Sequence, residues 1–251
     1  MRTSRIIKLE QYIHQHEVLS LEQLCEEFSI SMSTLRRDVS ELRKRGSIQK
    51  VYGGVQKSAG NASLPFNTRS GINPSEKAKI CSLASRFIEE DDIIFIDTGS
   101  TTCGLIETLD HLSSVTVVTN NIDTILRAIP RPNITLCSLQ GVLNRSNNSL
   151  SPVNSDRIFS DFNIQKAFMA ASSVSLDNGV SHSDPLENST KRAAMKNADK
   201  KYLLVDQNKF GHNSLHSYAP LSRFDCIVTN EKPAGEFLES LGRLNVDCLY
   251  E

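Results

Sequence analysis

One stretch constrains this chain more than any other: Ser31 to Gly46, SMSTLRRDVSELRKRG. Ser31 is a good helix N-cap, because its hydroxyl can accept from a backbone N–H of the first turn. Ile30 and Leu35 are spaced for a hydrophobic staple, and Gly46 supplies the left-handed residue on which helices end. Leu35, Val39 and Leu42 recur at i, i+4 and i+7, which makes one buried stripe. At about 100° per residue, Ser33, Arg37, Ser40 and Lys44 fall opposite that stripe, with Arg36 on the flank. A face of cations and small hydroxyls is either a solvated surface or one suited to a polyanion. The residues on both sides of the stretch favour the polyanion.

Before it, Arg5 to His16 reads as a helix with Ile6, Leu9 and Ile13 on one face. Ser20 then opens a second helix, with Gln23 placed to complete a capping box and Leu21, Leu24 and Phe28 as its buried positions. Ser29-Ile30-Ser31 is a tight turn into the third helix. Two short helices, a turn and a basic second helix make a helix-turn-helix. After it, the alternation in Ser47 to Val55 and the Gly53-Gly54 turn predict a β-hairpin wing. Residues 1–57 carry ten Lys/Arg against seven Asp/Glu, and the remainder 18 against 22. A basic first segment on an acidic body predicts that the first segment meets nucleic acid. The expected partner is double-stranded operator DNA. The expected contacts are Ser31, Ser33, Thr34, Arg36, Arg37, Ser40 and Lys44 on the helix, with Lys50 and Tyr52 on the wing. For Tyr52 the competing expectation is that its ring packs on the helices.

Residues 58–74 are dominated by Ser, Asn, Gly and Pro and read as a linker. A helix then runs from Pro74 or Ser75 to about Glu90. From Asp91 onward short apolar runs alternate with helical segments. Strands are expected at Ile93–Ile96, Val115–Thr119, Ile134–Leu139, Lys166–Ala171, Tyr202–Val205, Cys226–Thr229 and Val246–Leu249. Helical segments are expected around 102–110, 122–129, 153–160, 189–199 and 234–242. That alternation predicts a mainly parallel α/β sheet over 75–251, whose ligands sit beyond the carboxyl ends of the strands. The organisation is therefore a winged helix-turn-helix over 1–57, a linker over 58–74, and an α/β effector-binding and oligomerisation domain.

Three strand ends are polar. Asp97-Thr98-Gly99-Ser100-Thr101-Thr102 runs straight into a helix, where backbone N–H groups and the dipole favour an anion. It is neither a Walker A loop nor a dinucleotide fingerprint. Thr119-Asn120-Asn121 ends the second strand, and Asp206 to Gly211 ends the fifth, contributing one carboxylate and the Lys209 ammonium. Together they suit a small, phosphorylated, hydroxyl-rich molecule.

Other classes are set aside. No run approaches the ~18 apolar residues of a membrane span, and the first residues lack an apolar signal core. The six cysteines have no paired spacing, so they are expected to be reduced, in a cytoplasmic protein. His212 and His216 are expected to be a loop pair rather than a metal site. No metal, cofactor or membrane partner is expected.

The ordered set of motifs resembles the DeoR family of bacterial transcription regulators over nearly the whole chain. Phe28 to Val55 is similar to the family's helix-turn-helix, with Arg-Arg-Asp and the trailing Gly-Gly. Phe66, Arg69, Asn73, Glu76 and Lys77 match the entry to the second domain. FIDTGSTT (Phe95 to Thr102) resembles its phosphate loop, and VVTNN (Val117 to Asn121) and VDQNKFG (Val205 to Gly211) follow in order. Glu187, Lys191 and Arg192 match an acidic-then-basic element. The resemblance implies an effector domain with a Rossmann-like fold similar to ribose-5-phosphate isomerase, in a repressor of sugar catabolism. It further implies a sugar-phosphate effector, held by Asp97, Thr98, Gly99, Ser100, Thr101 and Thr102, by Thr119, Asn120 and Asn121, and by Glu187, Lys191, Asp206 and Lys209. Two crevice segments depart from the pattern: Gln140-Gly141 stands for Gly-Gly, and Ser172-Ser173-Val174 for a Gly-Ile-Asp-like segment. Separately, one helix-turn-helix of small net charge offers few phosphate contacts, so a homodimer or homotetramer that engages two half-sites is expected.

The competing class is an enzyme, a sugar-phosphate isomerase carrying an extra DNA-binding domain. Isomerisation needs a positioned base and a charge-stabilising partner, which Glu187 and Lys209 could supply. Those isomerases carry Asp-Gly-Ala-Asp-Glu after a strand, and Ala170 to Val174 here has no carboxylate. The expectation is a regulator, not an enzyme.

Overall fold

The structure, a computed structural model, describes residues 2–14, 16, 18–44, 48–57, 64–153 and 158–251. It divides into two compact units, Met1–Ile72 and Asn73–Glu251.

The first unit holds α1 (Arg2–His14), α2 (Leu21–Glu27), α3 (Met32–Lys44), the hairpin β1 (Ile48–Val51) and β2 (Gly54–Lys57), and α4 (Phe66–Ser70). Its core is made of the expected stripes: Ile6, Leu9 and Ile13 of α1, Leu24 of α2, and Leu35, Val39 and Leu42 of α3, closed by Leu19, Ile48 and Val55. The α2 capping box forms in both directions: Gln23 N–H donates to Ser20 Oγ at 3.1 Å, and Ser20 N–H to Gln23 Oε1 at 2.8 Å. Ser29 takes a left-handed φ of 49°, which lets the Ile30 N–H return to the Cys25 carbonyl at 3.1 Å and turn the chain into α3. At α3, Thr34 N–H donates to Ser31 Oγ at 3.3 Å. The expected stop at Gly46 lies outside the described residues. Gly53 carries the positive φ of the wing turn, 89°. Gly54 is needed for a different reason. Leu19 and Val55 exchange backbone hydrogen bonds of 2.9 and 2.8 Å, and a Cβ on Gly54 would lie 2.1 Å from the Leu19 carbonyl oxygen. The segment read as linker is not all irregular, since α4 falls within it.

The second unit opens with α5 (Pro74–Ser85) and is built on a seven-stranded sheet. Its strands are β3 (Ile93–Ile96), β4 (Val115–Thr119), β5 (Ile134–Ser138), β8 (Lys166–Ala170), β11 (Lys200–Leu204), β13 (Cys226–Val228) and β14 (Asp247–Leu249). The order is β14-β13-β11-β8-β3-β4-β5, and every pairing is parallel. The helices are α6 (Ile122–Ala128), α7 (Pro185–Asn197) and α8 (Gly235–Arg243). Strand residues divide by the period of two. Phe95, Val118, Met169, Leu203 and Ile227 belong to one core, and Ile94, Ile96, Val117, Phe168, Tyr202, Leu204 and Val228 to the other. Burial on both faces is why these strands read as continuous apolar runs.

Several expectations change. The segment after β3 is a 3-10 helix, Thr102–Thr108, not an α-helix. No helix forms at Ile158–Ser160, which is a turn, while 154–157 of that expected helix lie outside the described residues. α7 starts at Pro185, earlier than the expected 189. Five strands were unforeseen: a hairpin of β6 (Val142–Asn144) and β7 (Ser149–Ser151), and an antiparallel sheet β12-β10-β9 from β9 (Ser173–Ser175), β10 (Gly179–His182) and β12 (His216–Ala219).

The winding fixes where a ligand would lie. From β3 the chain adds β4 and β5 on one side, then returns to place β8 on the other. The switch point lies between β3 and β8, and the crevice outside their carboxyl ends is where open α/β sheets bind ligands.

Candidate DNA interface and ligand crevice

On α3 the structure separates two kinds of residue. Ser33, Arg36, Arg37 and Ser40 are exposed, as is Ser31. Thr34 is half-buried, and the Ser31 hydroxyl lies 3.1 Å from Ser33 Oγ and 3.0 Å from Thr34 Oγ1. Ser31 and Thr34 therefore build the start of the helix, while the arginines and Ser40 form its outer face. The side chain of Lys44 lies outside the described residues. Asp38, between the arginines and Val39, points inward: it is 1% exposed and accepts from Arg5 Nε at 2.8 Å, tying α1 to α3. Its i+3 spacing from Leu35 was the signal for that inward turn. On the wing Lys50 is exposed. Tyr52 is fully exposed at the hairpin tip, so the expectation that its ring packs on the helices is ruled out.

In the second unit the ends of β3 and β8 meet through charged groups buried in the protein. Asp97 follows β3; its Oδ1 accepts from the Thr98 N–H at 2.8 Å and its Oδ2 from the Ala170 N–H at 2.8 Å. Asp97 Oδ2 also takes a short ion pair from Lys191 Nζ of α7. Lys191 is 0% exposed, donates to the Ala170 carbonyl at 3.3 Å, and sits 5.5 Å above the Tyr218 ring. One turn earlier on α7, Glu187 Oε2 lies 3.9 Å from Lys191 Nζ and 2.7 Å from His182 Nε2, and Glu187 Oε1 accepts from Ser149 Oγ at 3.1 Å. His182 Nδ1 lies 3.1 Å from Ser172 Oγ. Asp97, Thr98, Glu187 and Lys191 are thus brought together as expected. His182, Ser149, Ser172 and Tyr218 join them without having been foreseen.

The electrostatics follow from burial and spacing. Burial alone would raise the Glu187 carboxyl; its contacts with His182 and Lys191 outweigh that and hold it at about 2. Burial lowers the His182 imidazole, as does the Lys191 charge, against the pull of Glu187. Burial, with a contribution from Asp97, raises the Tyr218 phenol well above its ordinary value, and its O–H donates to the Ala170 carbonyl at 2.9 Å.

The remaining expected residues have structural work. Thr102 Oγ1 donates to the Asp97 carbonyl at 2.7 Å, and an added Cβ on Gly99 would lie 2.4 Å from Ala170 Cβ. The loop is thus locked against β8. Thr101 is buried and Ser100 is half-buried. Because a 3-10 segment follows, anion binding here would rest on the loop's own amides and hydroxyls more than on a helix dipole. Thr119 Oγ1 donates to the Ile96 carbonyl at 2.7 Å. Asn121 is the N-cap of α6, and Asn120 Nδ2 donates to the Leu150 carbonyl at 3.0 Å. That leaves Asn120 Oδ1 and Asn121 Nδ2 buried without a hydrogen-bond partner. Asp206 caps the turn after β11 through Asn208 N–H, and Lys209 stands half-buried on that turn, one strand beyond the switch point. His212 and His216 have no cluster of metal-ligating residues around them among those described.

Two family models match. The DeoR-like helix-turn-helix domain covers residues 5–58, and the DeoR C terminal sensor domain covers residues 72–231. The HTH-type transcriptional regulator IolR of Bacillus subtilis is 39% identical over 239 residues, 95% of each chain. The chain belongs to the DeoR family. It is a DNA-binding transcriptional regulator with a sensor domain, so the isomerase alternative is not favoured. The Glycerol-3-phosphate regulon repressor of Escherichia coli is 25% identical over 240 residues, covering 96% of this chain and 95% of that one. Among solved structures, a ribose 5-phosphate isomerase from Methanocaldococcus jannaschii aligns with 55% of each chain at 18% identity and a TM-score of 0.41. No helix among the described residues is long and apolar enough to cross a membrane.

Proposed function

We propose that this regulator is a repressor of carbohydrate-catabolic genes, released from its operator by a phosphorylated sugar bound beyond the carboxyl ends of β3 and β8. The observation that carries the reading is the buried set Asp97, Glu187, Lys191 and His182 at the switch point of the sheet. Burying two carboxylates and an ammonium costs several kcal/mol per ion unless geometry and hydrogen bonds offset it. A fold that only needed stability would do as well with apolar side chains there, so a role in holding a hydroxyl-rich ligand explains the set better. The phosphate is assigned to Gly99–Thr102, and the sugar hydroxyls to the Asp97–Glu187 side and to the unpaired amide atoms of Asn120 and Asn121. That a relative carries the name Glycerol-3-phosphate regulon repressor supports both the sign of regulation and the ligand class.

Arg36, Arg37 and Ser40 are assigned to the major groove, and Lys50 and Tyr52 to the flanking backbone or minor groove. One such unit makes few phosphate contacts, so we assign a homodimer or homotetramer that engages two half-sites. The test is calorimetric titration of sugar phosphates into wild type and Ser100→Glu, which sets a carboxylate in the loop at a half-buried position. Binding to wild type that the variant loses supports the reading. Equal binding by both places the ligand elsewhere.

A further inference from the structure

The proposed phosphate loop leaves unexplained a chain of side chains on the other side of the crevice. It runs from Glu187 through His182 to Ser172, the first residue of one of the two crevice segments that depart from the family pattern. Glu187 is an ionised carboxylate and can only accept. His182 Nε2 stands 2.7 Å from its Oε2. The pair lies off the line a ring N–H hydrogen bond needs, yet a lone pair on Nε2 would face the carboxylate charge at that distance, so the Glu187 charge favours the ring proton on Nε2. Burial and the nearby Lys191 charge oppose a second proton on the ring. Nδ1 is therefore an acceptor. Ser172 Oγ, 3.1 Å away, can satisfy it only by donating its hydroxyl hydrogen. The Glu187 charge thus sets the direction of the Ser172–His182 hydrogen bond.

The Ser172 hydroxyl hydrogen is thereby committed inward, and what its oxygen offers outward is lone pairs. Ser183 Oγ, at 3.3 Å, can donate to one of them. Ser172 is half-buried, two residues past the end of β8 and two past Ala170, whose N–H binds Asp97. Resting on the sugar-phosphate reading above, we infer that Ser172 is a specificity-determining residue that accepts a hydrogen bond from a free hydroxyl of the ligand. A phosphate or carboxylate oxygen at that position would meet a lone pair, so the ionic end of the ligand must lie on the other side, at Gly99–Thr102. A ligand lacking that hydroxyl leaves the Ser172 oxygen unpaired.

The experiment is isothermal titration of the full chain with glucose 6-phosphate, fructose 6-phosphate, ribose 5-phosphate and glycerol 3-phosphate, each beside its singly deoxygenated counterparts, using wild type and Ser172→Ala. Removing the hydroxyl leaves the His182 Nδ1 acceptor unpaired, so the unfolding temperature should fall by the equivalent of one lost hydrogen bond while the chain stays folded, which thermal unfolding checks. For the best ligand, Ser172→Ala should weaken binding about ten-fold. The counterpart lacking the recognised hydroxyl should bind wild type that much more weakly, and should bind both proteins alike. A loss that falls equally on parent and every deoxygenated ligand, or no loss at all, overturns the assignment of Ser172 while leaving the crevice reading intact. Failure of every sugar phosphate to bind wild type overturns the crevice reading, and this inference with it.

Discussion

Lys191→Met removes the one ammonium of the buried set and tests the set as a unit. The Lys191 side chain is 0% exposed and that of Asp97 1%, so water cannot take the place of the lost partner. Asp97 would keep two backbone N–H donors, from Thr98 and Ala170, and lose its counter-charge with Glu187 still nearby. Breaking a buried pair from one side typically costs 3–5 kcal/mol, because a charge is left behind. For a domain of the size of residues 73–251, each kcal/mol lowers the melting temperature by about 2–4 °C. The sensor-domain transition should therefore fall by about 6–20 °C. Adding Asp97→Asn removes the stranded charge, and the double variant should recover at least about 1 kcal/mol of the loss. The chain has no tryptophan, so the assay is urea or thermal unfolding followed by circular dichroism and tyrosine fluorescence. A single variant within about 1 kcal/mol of wild type, or a double variant no better than the single one, would refute the claim that the ion pair is buried and coupled.

Three further outcomes follow from the geometry. Arg37→Ala should weaken operator binding by about 1–3 kcal/mol if the contact is to a base and leave the melting temperature unchanged, as gel shift and calorimetry would show; unchanged affinity places the recognition face elsewhere on α3. Gly54→Ala should destabilise the winged unit by about 1–3 kcal/mol, since its Cβ would strike the Leu19 carbonyl; unfolding of residues 1–72 unaffected by the change would contradict the strand contact seen there. Acid should erode stability in two stages. The His182 ring is held below its ordinary value of 6.5, so the unfolded chain takes that proton first and stability begins to fall as pH drops below about 6.5. The Glu187 contribution, present above its ordinary 4.5, is lost as pH falls from there toward about 2. His182→Gln should flatten the first stage only, and denaturation midpoints between pH 8 and 4 that keep the same slope in the variant would rule out that assignment.

What could be read before the structure divides along a physical line. Strands buried on both faces announce themselves as apolar runs, so all seven strands of the main sheet were found at Ile93–Ile96 and its successors. β9 (Ser173–Ser175) and β10 (Gly179–His182) are buried too, but they are short and rich in serine, and only their pairing with each other and with β12 makes them strands. His182 therefore gave no signal of its own, because its place beside Glu187 depends on that unforeseen sheet. Asn121 has a structural task that its place at a strand end did not announce. Its Oδ1 accepts from the N–H groups of Asp123 and Thr124 and starts α6, while its Nδ2 is left without a partner. Asp38 was quoted for its place in Arg-Arg-Asp, and its contact with Arg5 gives a reason for a carboxylate directly after the two exposed arginines.

The central claim is that a ligand in the β3–β8 crevice sets the affinity of the first unit for DNA. The direct measurement is fluorescence anisotropy of the full chain on labelled DNA from upstream of its own gene and neighbouring sugar-utilisation genes, titrated with and without sugar phosphates at fixed salt. The account predicts specific binding that one sugar phosphate weakens, and by linkage the DNA must weaken binding of that sugar phosphate by the same factor. Tight, specific DNA binding that no sugar phosphate alters would contradict it.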